Sequence, residues 1–171
     1  KPLTLLVILL FFAVSYADVP YKTYTMGPNG FIVETRNAFV PEKVFFPSVM
    51  NAEDIFVDKD GSIYVADTGN MRVLKIKSDM SEEVFSDYMF FMPTGIFVTD
   101  ELVYVADSGS FSVCVFNKSG ELLKELGRPS QPLFGSKNQF IPLKVAVDAR
   151  NNIYIISEGS TDGIGVHSDE S

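Results

Sequence analysis

From residue 51 onward, short apolar runs alternate with turn sequences. Residues 55–57 and 63–66 are rich in β-branched and aromatic side chains, and they are bracketed by Asp58-Lys59-Asp60-Gly61 and Asp67-Thr68-Gly69-Asn70. This spacing predicts one hairpin upon another: strand a at 55–57, strand b at 63–66, strand c near 72–76 and strand d near 83–85. The pattern recurs at 96–98, 103–106, 113–116 and 122–126. A third copy starts at Lys144-Val-Ala-Val-Asp148, continues through Asn152 to Ser157, and runs out in its strand c at about 164–167. Tyr64, Tyr104 and Tyr154 hold the same phase in the three copies.

Units of about 40 residues with several short strands each are the mark of propeller blades; helical arrays carry a 3.6-residue period instead. The expected fold class is therefore all-β, with blades at 51–86, 93–127 and 142–171, the last incomplete. Residues 18–50 read as an outer hairpin and linker. Their strands at 21–26 and 31–35 flank Gly27-Pro28-Asn29-Gly30, and such a pair can complete the last blade of a ring and remove its open edges. About thirteen strands are predicted against roughly 24 for six four-stranded blades, so the chain is expected to be a truncated one.

The first 17 residues read as an export leader. Lys1 precedes an apolar run from Leu3 to Val14, and Ser15-Tyr16-Ala17 offers small residues for cleavage before Asp18. A membrane anchor is the alternative, but the run has about 12 apolar residues where about 20 are needed to cross a bilayer. An exported protein is the expectation, with no transmembrane segment beyond the leader.

Composition narrows the function. The 171 residues include 14 Lys and Arg against 22 Asp and Glu, a net charge of −8, and a nucleic-acid partner needs the opposite sign. A lone cysteine, Cys114, closes no internal disulfide and builds no cysteine zinc site. The single histidine, His167, is the one candidate for a histidine base. No catalytic residue, metal ligand or cofactor is assigned. The alternate carboxylates of Asp58-Lys59-Asp60-Gly61 suit calcium weakly, and the strand that follows favours a hairpin turn there.

The segment Tyr64-Val-Ala-Asp-Thr-Gly-Asn-Met-Arg-Val73, preceded by Ile-Phe-Val-Asp-Lys-Asp-Gly, resembles an NHL repeat, and Tyr104-Val-Ala-Asp-Ser-Gly109 resembles a second. The third copy keeps Val145-Ala-Val-Asp148 but has Ser157 where the others have Asp67 and Asp107. With the leader, the chain resembles exported bacterial NHL-repeat proteins. The resemblance implies a six-bladed propeller in the full parent, and mostly interaction scaffolds.

Asp67 and Asp107 end strand b, where a carboxylate accepts hydrogen bonds from the turn's amides, and Arg72 can pair with Asp67 across that turn. The tyrosines are expected to pack between blades, and Cys114, in phase with Leu74, within the core. Candidate binding residues are Asp67, Asn70, Arg72, Asp107 and Phe134 on the loop face, with Asp54 and Lys144 at the mouth of the central channel. Asp54, Gly95 and Lys144 occupy one repeat position, so opposite charges are expected to lie at the channel mouth, either solvated or ion-paired. The loop at 127–142 and the apolar Tyr88-Met-Phe-Phe-Met-Pro93 lie on that face. The leading expectation is a non-enzymatic scaffold binding a protein, peptide or glycan. The rival is a metal-dependent hydrolase or lyase, resembling propeller lactonases, that uses the channel mouth.

Overall fold

The computed structural model describes residues 22–35, 45–130, 139–158 and 164–167. Residues 1–17, where a leader is expected, lie outside them. Two compact units divide at Phe46 and Pro47. In the first, β1 (Thr23–Met26) and β2 (Ile32–Thr35) form an antiparallel hairpin, which the turn sequence Gly27-Pro28-Asn29-Gly30 between two short runs predicts.

The second unit holds three antiparallel sheets. The first blade runs β3 (Ala52–Val57), β4 (Ile63–Asp67), β5 (Arg72–Ile76) and β6 (Glu82–Val84). The next runs β7 (Pro93–Val98), β8 (Leu102–Asp107), β9 (Ser112–Asn117) and β10 (Leu122–Leu126). The third has β11 (Ile141–Val147), β12 (Ile153–Glu158) and β13 (Ile164–His167). Within each sheet the strands pair in chain order, and the innermost strands β3, β7 and β11 lie side by side across blades.

The turn chemistry read from sequence forms as expected. In the β3–β4 turn, Gly61 takes φ 82° and its amide donates to the Asp58 carbonyl, while the Asp58 amide donates to the Ser62 carbonyl. The Asp60 carboxylate accepts from the Ser62 amide at 2.8 Å. A hairpin turn therefore uses the acidic side chains that invited a calcium reading.

Strand a starts earlier than predicted, at Ala52 and Pro93 rather than 55 and 96. The reason is a bulge. Register shifts between Ala52 and Asp54, between Pro93 and Gly95, and between Pro142 and Lys144, so pairing continues through polar residues that break the apolar run.

Each blade buries one face against the next. Tyr64, Val73 and Phe85 of the first pack with Ile96, Cys114 and Phe116 of the second, and Tyr64–Phe85 and Phe85–Phe116 meet edge-on at 5.4 and 5.7 Å. Tyr104, Val113 and Val115 then pack with Phe140, Val145 and Ile155 of the third. Tyr64 and Tyr104 thus sit between blades, and Cys114 is a fully buried free thiol whose pKa burial pushes up.

Candidate functional site

The turns from strand b to strand c and the loops entering strand a share one face of the sheets. Asp67, at the end of β4, is fully buried. One carboxylate oxygen accepts from the Met50 amide at 2.7 Å, and the other from Asn70 Nδ2 at 2.8 Å and Arg72 Nε at 2.7 Å. Arg72 also donates to the Ser48 carbonyl. Burial alone would raise the Asp67 pKa, but these donors, led by the Met50 amide, outweigh it and hold the value below the ordinary carboxylate range.

The second blade solves the same problem with backbone alone. Asp107, also fully buried, accepts from the amides of Phe91 (2.9 Å), Met92 (2.7 Å) and Gly109 (3.2 Å). Ser112, in the place of Arg72, bonds Ser110 at 2.9 Å instead. In the third blade the Ser157 hydroxyl accepts from the Ile141 amide at 2.8 Å. The duty of all three residues is chiefly to clamp the incoming strand-a loop. The sequence reading assigned Asp67 and Asp107 to the turn's own amides, and only Gly109 fits that.

Asp67, Asn70 and Arg72 therefore form one internally satisfied cluster. Asp54 and Lys144 also meet: Lys144 Nζ lies 3.3 Å from Asp54 Oδ2, and it donates to the Glu53 carbonyl at 2.8 Å and the Thr94 carbonyl at 2.6 Å. Phe134 lies outside the described residues.

What the sequence reading missed is apolar and exposed. Met71 and Phe111, each four residues after the clamping Asp, both take the left-handed conformation (φ 51° and 57°) and are each 58% exposed. Bulky residues are rare there, and the conformation costs on the order of 1–3 kcal/mol. The loop at 88–92 splits: Tyr88 and Phe90 pack inward edge-on at 4.9 Å, while Met89, Phe91 and Met92 are exposed, as is Met50. Met50 and Met92 flank the b–c turns closely, because a Cβ at Gly69 would meet the Met50 carbonyl at 2.5 Å and one at Gly109 the Met92 amide at 3.0 Å. Thr68 Oγ1 donates to the Pro93 carbonyl at 2.5 Å, joining the first b–c turn to the second blade's entry. The recurrence of a large apolar residue four places after Asp was the available sequence clue.

Residues 50–76 match the NHL repeat family. Among solved structures, the chain resembles a streptogramin B lyase (TM-score 0.52, 14% identity, 85% of this chain and 47% of that one). Residues 50–76 thus carry an NHL repeat within a chain of β-propeller-type blades. It also resembles virginiamycin B lyase from Staphylococcus aureus (TM-score 0.51, 14% identity, 88% of this chain and 49% of that one). A third is a calcium-binding protein, regucalcin, from Agrobacterium tumefaciens (TM-score 0.53, 16% identity, 78% of this chain and 43% of that one). No curated protein sequence matches it. At these identities the likeness is one of fold, and the chain spans about half the length of the lyases.

Proposed function

We propose that this propeller is an exported, non-enzymatic scaffold that binds a protein or peptide through the face carrying the b–c turns and strand-a loops. One observation carries the reading: Met71 and Phe111 stand exposed at the same repeat position on strained backbone, with Met50, Met89, Phe91 and Met92 exposed on the same face. Flexible thioethers beside aromatic rings suit adaptable protein contacts better than the hydroxyl-rich surface of a glycan. The clamped loops beneath hold these side chains on a rigid support. The net charge of −8 disfavours nucleic acid as the partner.

The likeness to lyases and to a calcium-binding propeller supports the other reading, a metal-dependent enzyme at the channel mouth. Peptide display against the chain separates the two. Selected binders are expected to lose tenfold or more in affinity to the Met71→Ser, Phe111→Ser double variant, with its melting temperature within a few degrees of the parent. Equal binding by the double variant overturns the scaffold reading. Calcium- or zinc-dependent turnover of ester or lactone substrates by the parent chain would establish the enzyme instead.

A further inference from the structure

Asp54, Gly95 and Lys144 hold the same place in three successive innermost strands, each just after its bulge. The bulge leaves strand carbonyls without ladder partners, and two of them, at Glu53 and Thr94, accept from Lys144 Nζ at 2.8 and 2.6 Å. Asp54 Oδ2 lies at 3.3 Å from the same nitrogen. Three oxygens thus face the three donors of one ammonium. Asp54 is itself aimed by backbone: its Oδ2 accepts from the Ile96 amide at 3.1 Å and its Oδ1 from the Ile55 amide at 3.0 Å.

Gly95 makes the arrangement possible. A Cβ there would come within 2.6 Å of the Leu143 carbonyl and 2.9 Å of Lys144 Cα, so β11 lies this close to β7 only beside a glycine. One lysine from the third blade thereby bonds the carbonyl of the second and both carbonyl and carboxylate of the first.

Two carbonyls and a carboxylate around a single point form a cradle that supplies three of the six to eight oxygens that calcium takes, with water able to complete the shell. We propose that this cradle is a cation site whose resident cation is the chain's own Lys144 ammonium, and that calcium enters it when the ammonium is removed. With Lys144 in place, the site is satisfied from within.

The test is a calcium titration of the full chain followed by thermal unfolding. The parent is expected to show no shift at 10 mM calcium. Lys144→Met should gain a rise of about 3–6 °C, the size expected for millimolar sites, and adding Asp54→Asn should remove it. A folded Lys144→Met protein without a calcium response, or a parent that responds as strongly, overturns the proposal. Should Lys144→Met not fold, reductive methylation of the parent decides. Lys144 is then expected to react at least tenfold more slowly in the parent than in the Asp54→Asn variant, and equal rates overturn the cradle.

Discussion

Asp67, Asp107 and Ser157 clamp three equivalent loops with different numbers of hydrogen bonds, so their replacement should cost different amounts. Asp107→Ala strips the acceptor from three amides, and about 2–4 kcal/mol of stability should be lost. Ser157→Ala strips it from one and should cost about 1 kcal/mol. Urea unfolding of the two variants checks the ranking, and equal losses would mean that the loops hold themselves. Asp67 adds a pH dependence. Its folded-state pKa lies below the usual 3.8, so the stability its ionised form contributes is complete above that value and lost as pH falls through the depressed one. Asp67→Asn should therefore weaken the protein by about 1–3 kcal/mol at pH 7, with the gap to the parent narrowing at pH 3.

At the scale of strands, Gly95 shows how closely two blades approach. Gly95→Ala pushes a methyl against the backbone of β11, which no rotamer can relieve. A loss of about 1–3 kcal/mol is expected, the range for overpacking, together with a weaker Lys144 bridge. Urea unfolding gives the first, and faster methylation of Lys144 the second. The strands themselves were readable because β-branched runs and Asp-Gly turns act over a few residues. The bulges were not: they depend on polar residues kept in the ladder by a neighbouring blade. The same limit hid the loop clamps, since Asp67 reaches Met50 across 17 positions and Lys144 reaches Glu53 across 91. Met71 and Phe111 went unread for another reason. They sit inside turns, where sequence pattern speaks of backbone shape and not of which side chain is left facing water.

Across the described blades, the burial of a repeat position follows whether another described blade covers it. Ile55 and Ile96 are equivalent residues of consecutive inner strands, yet Ile55 is 60% exposed and Ile96 is 3% exposed, because the first blade covers the second. Such arrays draw stability from interfaces between neighbours as much as from within each unit. The two isoleucines should therefore answer the same substitution differently. Ile96→Ala opens a hole in the shared core beside Val103 and Phe116, and a loss of about 2–5 kcal/mol is expected. Ile55→Ala removes methylenes already largely in water and should cost less than about 1 kcal/mol. Urea midpoints of the two variants at constant m-value test this directly. If Ile55→Ala proves as costly as Ile96→Ala, the outer face of β3 is packed in solution, and burial in this fold follows the repeat position after all.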